Sequence, residues 1–231
     1  MCGRYTHYFS WSELHFLLEN FTGLILPSDP PGEAYNFAPT QPGWVLAARE
    51  GEGSEALQRM RWGLVPYWSK DARMAYSTIN ARLESVATKP AFREAWKRRR
   101  CLVPASGYYE WKGEGAAKQP WFIHDPQAPV MMFGGLWERW NAPDGNVLET
   151  YSIVTMPAAG PVSTLHDRMP LILPPGLQRD WLHSTPEQAT ELALATPEPA
   201  LQFHAVGKAV GNVRNQGAEL VRPVAPPGAL F

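Results

Sequence analysis

The spacing of hydrophobic residues predicts a first helix from Ser10 to about Phe21. Ser10 and Glu13 fit a capping box, in which each side chain accepts a hydrogen bond from the backbone N–H of the other residue. Leu14, Leu17, Leu18 and Phe21 then recur on one face of the helix.

Three further helices are predicted after residue 87. Thr88 suits an N-cap, Pro90 suits a first turn, and Phe92 and Trp96 lie one turn apart, which predicts a helix from about Thr88 to Arg99. Two shorter helical segments follow much later in the chain, Gly176–Leu182 and Thr185–Ala195.

Short apolar or aromatic runs separated by turn residues predict a β-rich core. The predicted strands are Trp44–Ala48, a strand that follows a turn at Gly51–Ser54 and ends near Trp62, Cys101–Pro104, Tyr108–Trp111, Trp121–His124, Val130–Leu136, Glu149–Thr155 and Leu201–Val206. The segment from Tyr35 to Pro39 is expected to be irregular. Many strands and about four helices indicate a single α+β domain, with a core resembling an open barrel.

Composition excludes several classes of protein. Of 231 residues, 45% are hydrophobic and 19% charged, which favours a folded domain, and a net charge of −1 argues against a non-specific DNA coat. The two cysteines, Cys2 and Cys101, are too few for a disulfide framework and lack zinc-site spacing. No apolar run is long enough to span a membrane, and no signal pattern is present. We therefore expect a soluble cytoplasmic protein with no metal and no cofactor.

Cys2 is the strongest candidate nucleophile. If Met1 is removed, Cys2 presents an α-amine, with a reference pKa of about 7.7–8.0, next to a thiol. Such a pair can condense with an aldehyde and close to a thiazolidine. Alternatively, the thiol can attack an amide with the amine as its base, as in N-terminal nucleophile hydrolases. Cys2 can also be an incidental second residue.

Three other polar positions invite a chemical role. Asn80 shares one face of an extended segment with Arg82 and Glu84, which suits phosphate or sugar recognition, or simply solvent. Glu110 lies within an aromatic strand, where burial would raise its pKa and favour proton transfer, unless an arginine pairs with it. His166 follows a loop rich in proline and glycine and suits general acid/base catalysis, or a structural role.

Taken together, these motifs resemble the SOS-response-associated peptidase (SRAP) family of abasic-site processing proteins. The motifs that carry the resemblance, in chain order, are Met1-Cys2-Gly3-Arg4-Tyr5, Tyr35-Asn36-Phe37-Ala38-Pro39-Thr40, Trp62-Gly63-Leu64-Val65-Pro66, Asn80-Ala81-Arg82-Leu83-Glu84, Tyr109-Glu110-Trp111 and His166-Asp167-Arg168-Met169-Pro170. The resemblance runs from Cys2 to about Val224. It departs from the family at Ser85, where Thr is commoner, and at Ser106, where Asp or Asn is commoner.

The resemblance implies a fold, a partner and an activity. It implies one β-rich domain over residues 1–224, two sheets forming an open barrel with helices outside, followed by a proline-rich tail at 225–231. It implies a monomer that binds single-stranded DNA and cross-links covalently to abasic sites, so that the protein would be DNA-associated in the cytoplasm. The peptidase label refers to release of the residue before Cys2, either by self-cleavage or by an aminopeptidase.

The resemblance also implies roles for individual residues. Cys2 would attack the open-chain sugar aldehyde, Asn80 would orient the sugar, Glu110 would move protons, and His166 would help to open the sugar ring and to reverse the cross-link. The implied DNA contacts are phosphate binding by Arg4 and Arg82, a channel lined by Asn36, Pro39, Trp62 and Trp68, and a stacking wedge at Trp68.

The sequence leaves two alternative functions open. An N-terminal nucleophile peptidase or amidohydrolase would use Cys2 but would have no need of the channel aromatics. A non-catalytic single-strand binder would not depend on Cys2 at all.

Overall fold

The computed structural model describes residues 2–19, 21, 23–28, 32–48 and 54–225. Met1, residues 51–53 of the predicted turn and residues 226–231 of the predicted tail lie outside this part of the chain. Val224 donates its N–H to the Ala205 carbonyl, so the described chain remains paired almost to its last residue.

The described residues form two β-sheets. The strands are Tyr5–His7 (β1), Ala34–Phe37 (β2), Pro42–Ala48 (β3), Glu55–Trp62 (β4), Asn80–Arg82 (β5), Arg100–Ala105 (β6), Gly107–Lys112 (β7), Gln119–His124 (β8), Met131–Asn141 (β9), Val147–Pro157 (β10), Arg168–Pro170 (β11) and Gln202–Ala205 (β12). One sheet has the order β12-β8-β7-β1-β2, and the other contains the remaining seven strands.

The seven-stranded sheet closes on itself. β10 pairs with both β4 and β9, which completes a ring through β3 and β6, while β5 and β11 add to β10 beyond the ring. Closure leaves the five ring strands without a free edge. The predicted α+β fold with two sheets and a barrel-like core is confirmed, and the barrel is closed.

Four α-helices lie within the described chain: Trp11–Leu18 (α1), Arg93–Arg98 (α2), Pro175–His183 (α3) and Pro186–Ala195 (α4). The Ser10–Glu13 capping box is present, although α1 ends at Leu18, before the predicted Phe21. None of these helices is long and apolar enough to cross a membrane.

The helix predicted from Thr88 to Arg99 is wrong over its first half. The chain forms turns there, and the Thr88 hydroxyl donates to the Ser85 carbonyl instead of capping a helix. Helix α2 begins only at Arg93, after Phe92, whose side chain offers no cap. The Thr88 side chain therefore hydrogen-bonds within a turn and does not cap a helix.

The prediction that residues 35–39 are irregular is wrong for residues 35–37. Ala34–Phe37 form β2, which pairs with β1 in the register Tyr5 to Phe37. Pro39 lies beyond the last strand residue, so it does not remove a ladder hydrogen bond. Pairing with a strand about thirty residues earlier gives this short segment its structure, and that contact is invisible in the local pattern.

The two faces of the barrel strands enter different cores. One core packs Leu46, Leu102 and Val154 against the helices, through residues such as Trp96 and Trp181. The other core joins the barrel to the five-stranded sheet and contains Cys2, Tyr5, Trp62, Phe133 and Tyr151. Close packing of the side chains in this second core fixes the surroundings of Cys2.

A glycine in β3 allows the second core to close. A Cβ at Gly43 would lie 2.5 Å from the hydroxyl oxygens of both Tyr5 and Tyr151. Those hydroxyls are 2.7 Å apart and share a hydrogen bond. Any larger residue at position 43 would therefore push the two sheets apart just beside the Cys2 region.

Candidate functional site

Cys2 lies near the start of β1, separated from Tyr5 by Gly3 and Arg4, and none of its surface is exposed. Its main-chain carbonyl accepts a hydrogen bond from Asn80 Nδ2 at 2.8 Å. Burial raises the pKa of the Cys2 thiol far above its usual range, and the negative charge of the nearby Glu110 raises it further. The Arg4 backbone N–H opposes this shift by donating to the sulfur. The thiol is therefore held in its neutral form in this structure.

Asn80 belongs to the seven-stranded sheet and is the first residue of β5. This three-residue strand runs parallel to β10, with Asn80 opposite Ile153. Only 9% of Asn80 is exposed, and its Oδ1 is buried without a hydrogen-bond partner in the described part of the chain. The side chain thus holds the Cys2 main chain with its nitrogen and offers an acceptor with its oxygen.

Glu110 lies in β7 and is 4% exposed. Burial raises the pKa of its carboxyl, while the positive charge that His166 can carry pulls the pKa down. The His166 Nε2 lies 4.0 Å from Glu110 Oε2. A carboxyl whose pKa is raised toward neutrality can both accept and donate a proton under ordinary conditions.

The other nitrogen of His166 has two neighbours. The Arg168 backbone N–H donates to Nδ1 at 2.9 Å, and Asp167 Oδ1 lies 2.8 Å from the same atom. Nδ1 cannot accept from one and donate to the other at once. The Arg168 N–H is a fixed donor, whereas the Asp167 side chain is 82% exposed and free to turn away. The neutral ring therefore carries its proton on Nε2, facing Glu110.

An ion pair holds the His166 segment against the residues that follow β5. The Arg168 guanidinium pairs with both oxygens of Glu84, through Nη1 to Oε1 and through Nη2 to Oε2 at 2.9 Å. Its Nη2 also donates to the Thr155 carbonyl at 2.7 Å. The Arg168 side chain lowers the pKa of Glu84, so the pair stays charged. The sequence grouped Glu84 with Asn80 on one polar face. In the structure the Glu84 carboxylate binds the Arg168 guanidinium.

Arg4 and Asn36 contact each other and the C-terminal segment. Arg4 Nη1 donates to Asn36 Oδ1 at 2.5 Å and to the Val210 carbonyl at 2.9 Å. The Asn36 amide nitrogen also lies within hydrogen-bond distance of three main-chain carbonyls, those of Val210, Asn212 and Asn215. Asn36 is fully buried, whereas Arg4 is half-buried and retains some accessible surface.

The remaining implied DNA contacts differ in exposure. Trp68 is 46% exposed and Arg82 is exposed, and Pro39 is half-buried. Trp62 has no exposed surface: its Nε1 donates to the Ile79 carbonyl at 2.9 Å, one residue before Asn80. The Trp62 side chain therefore holds the main chain next to Asn80.

Sequence reasoning missed Tyr108, which lies two residues before Glu110 on the same face of β7. Its hydroxyl is buried and has no hydrogen-bond partner among the residues described. Burial raises the pKa of Tyr108 well above its usual value, so it remains a neutral donor, and Cys2 and Glu110 are close enough to add to the shift. Strand periodicity around Glu110 was the signal that could have found it.

The geometry therefore joins four of the residues singled out in the sequence. Cys2, Asn80, Glu110 and His166 come from four separate segments and meet where the five-stranded sheet packs on the barrel. Among the residues described, no group of three or more histidine, cysteine, aspartate or glutamate side chains could hold a metal ion.

Known proteins resemble this chain over nearly its whole length. Residues 1–213 match the family model described as SOS response associated peptidase (SRAP). The chain is 36% identical over 233 residues to the abasic site processing protein YedK of Escherichia coli, covering 97% of this chain and 100% of that protein. It is 34% identical to YoqW of Bacillus subtilis, covering 96% of this chain and 99% of that protein.

Solved structures show the same fold. A phage-related protein from Bordetella bronchiseptica superimposes with a TM-score of 0.69 at 30% identity, covering 90% of this chain and 95% of that one. A protein from Bacteroides thetaiotaomicron gives a TM-score of 0.72 at 25% identity, covering 83% of this chain and 85% of that one.

Proposed function

The chain belongs to the SOS response associated peptidase (SRAP) family, and we propose that it processes abasic sites in single-stranded DNA by cross-linking to them through Cys2. The main observation behind the proposal is the hydrogen bond from Asn80 to the Cys2 carbonyl, made close to the buried carboxyl of Glu110. Its relatives are named abasic site processing proteins, which supports the choice of substrate.

The chemistry requires both nucleophiles of a free Cys2 terminus. After Met1 is removed, the neutral α-amine attacks the C1′ aldehyde of the open-chain deoxyribose, and loss of water gives an imine. The Cys2 thiol then adds across the C=N bond: sulfur bonds to carbon, and the thiol proton ends on nitrogen. The product is a five-membered thiazolidine, and no oxidant or reductant is consumed.

Buried acid–base groups supply the protons for these steps. Glu110, with its raised pKa, takes a proton from the attacking amine and returns it to the departing water. His166, with its proton on the nitrogen facing Glu110, supports opening of the closed sugar ring and the reverse reaction. Asn80 Oδ1, which has no partner within the described residues, is free to accept a hydrogen bond from a sugar hydroxyl.

We assign DNA binding to side chains that are exposed or partly exposed. Arg82 and the accessible part of Arg4 suit phosphate contacts, and Trp68 suits stacking on a base. Such contacts do not depend on base identity, as binding to a lesion without a base requires. Asn36 and Trp62 are buried, and we assign them the support of Arg4 and Asn80 rather than contact with DNA.

Release of Met1 is the proposed peptidase activity. Self-cleavage would use the Cys2 thiol or a water molecule activated by Glu110, whereas an aminopeptidase would leave the same terminus. Intact mass distinguishes the two routes. Protein made in the absence of methionine aminopeptidase loses Met1 only if self-cleavage occurs.

The cross-link itself gives the decisive test. Single-stranded DNA carrying one abasic site is mixed with purified protein whose Met1 removal has been verified by mass. We expect a DNA–protein band that survives denaturing electrophoresis. Cys101→Ala is the matched control, since Cys101 is equally buried but lies in β6 and takes no part in the Asn80 hydrogen bond, and it should retain the band.

Two changes at position 2 separate the amine from the thiol. Cys2→Ala keeps the amine, so borohydride should trap its imine, although no stable band forms without reduction. Cys2→Ser should behave in the same way, because a hydroxyl is a far weaker nucleophile than a thiol. If the wild-type chain leaves the DNA unshifted while it hydrolyses peptides or amides, the N-terminal nucleophile hydrolase is the better assignment.

A further inference from the structure

One cavity of the described structure is lined by residues other than those of the Cys2 site. It measures about 250 Å³, and neither Cys2, Asn80, Glu110 nor His166 lines it. Its wall is formed by residues from α1, β9 and the segment that leads into α3, and most of these side chains are apolar. The family resemblance and the cross-linking chemistry leave this cavity without a role.

The cavity is large enough for a ring-sized molecule with substituents. A cavity of about 150 Å³ lined by aliphatic and aromatic side chains stays dry and binds benzene. At about 250 Å³, with Leu17, Met131 and Met132 in its wall, this cavity has room for one ring and a short chain. Methionine side chains adapt readily to a ligand's shape.

One wall presents a buried hydrogen-bond acceptor. Gln178, in α3, is 1% exposed and lines the cavity. Its Nε2 donates to the Leu173 carbonyl at 3.1 Å, which fixes the orientation of the amide. Its Oε1 is buried and has no partner within the described chain. A buried acceptor left unpaired is unfavourable, so a ligand whose donor reaches Oε1 would be stabilised by the hydrogen bond it makes there.

The mouth of the cavity is acidic. Asp125 and Glu198 line it, and both retain solvent exposure. No lysine or arginine is among the described residues that line it. The start of α3 also borders the cavity, but Pro174 and Pro175 have no N–H to offer an anion. The field at the mouth therefore favours a cation.

We propose that this cavity binds a small amphiphilic cation, with a single ring inside, a hydrogen-bond donor toward Gln178 and a protonated amine between Asp125 and Glu198. Tyramine has these three features and serves as the probe. Phenethylamine lacks the hydroxyl donor, and 3-(4-hydroxyphenyl)propionate replaces the ammonium with a carboxylate. The three molecules share a ring and differ only in the groups that the proposal assigns.

Methyl NMR of the full-length protein, labelled at its methionine methyl groups, tests the proposal. A ligand of this size is expected to bind with a dissociation constant of about 1 mM. Titration with tyramine should shift the Met131 and Met132 signals saturably, while Met60, buried elsewhere, should not move. Phenethylamine should bind about fivefold more weakly, and the propionate more weakly still.

Variants at the mouth supply the control. Glu198→Gln should weaken tyramine binding about threefold at low salt, whereas Glu187→Gln, an exposed change on α4 outside the cavity, should not affect it. The proposal is overturned if Met131 and Met132 do not respond to tyramine. It is equally overturned if phenethylamine and tyramine bind alike, or if bound water occupies the cavity and no probe displaces it.

Discussion

Replacing Glu110 by glutamine separates its proposed chemistry from its place in the core. Glutamine keeps the shape of the side chain but cannot carry or release the proton. General acid–base catalysis by one side chain contributes about 10²–10⁴ in rate. We therefore expect Glu110→Gln to slow cross-linking at least about 100-fold, which corresponds to about 2.7 kcal/mol in the barrier.

The same change should leave the fold intact or strengthen it. Because burial raises the pKa of Glu110 above its ordinary 4.5, the folded protein holds that proton more tightly than the unfolded chain. The contribution of Glu110 to stability is therefore present below pH 4.5 and is lost as pH rises through the raised value. Glutamine does not titrate, so near neutral pH the variant should melt at the same or a higher temperature than wild type.

Single-turnover cross-linking and thermal melting, measured across pH, check both expectations. The wild-type rate should change with pH in a range above 4.5, and the variant rate should lack that dependence. A variant that cross-links at the wild-type rate would refute the role of Glu110. A slow variant that also melts far below wild type at neutral pH would show that the substitution damages packing. That result would contradict the melting temperature expected from the raised pKa of Glu110.

Four other changes test the surroundings of the site. Trp68→Ala should weaken binding to single-stranded DNA by about 1–3 kcal/mol in fluorescence anisotropy, and unchanged affinity would exclude stacking on this exposed ring. Asn80→Ala should slow cross-linking about tenfold by freeing the Cys2 main chain, whereas a wild-type rate in the gel assay would contradict that role. Tyr108→Phe removes a hydroxyl without a described partner, so its melting temperature should hold while single-turnover cross-linking slows; an unchanged rate assigns Tyr108 to packing alone. Arg168→Lys loses the two-pronged pair with Glu84 and should melt about 2–4 °C lower. Because Arg168 lowers the pKa of Glu84, that difference should be present above pH 4.5 and vanish in scans taken well below it; a gap that persists in acid would show that the ion pair is not its source.

Local patterns in the sequence located much of the secondary structure. The capping box predicted at Ser10 marks an observed helix start, because capping depends on residues only three positions apart. The segment predicted to begin at Thr185 forms α4, and the structure shows Thr185 as its N-cap. The same kind of signal failed at Thr88, where the hydroxyl bonds within a turn. Strand β2 was missed for the opposite reason, since its structure comes from pairing with β1.

For the site as well, local sequence motifs identify residues, whereas the contacts between those residues depend on distant parts of the chain. The motifs identified Cys2, Asn80, Glu110 and His166, but they could not reveal that Asn80 binds the Cys2 carbonyl from another sheet. Burial also depends on the whole fold: Trp62 and Trp68 are both tryptophans in aromatic segments, yet one has no exposed surface and the other is nearly half exposed.

The distant partners of the first strand have a consequence for synthesis on the ribosome. Arg4 is bonded to Val210, 206 positions later, and β1 pairs with β7, about a hundred residues along the chain. β1 therefore cannot complete its contacts in a growing chain until most of the later segments have been synthesised. Until then Arg4 and β1, and with them the neighbouring Cys2, lack the partners that hold them in the folded protein.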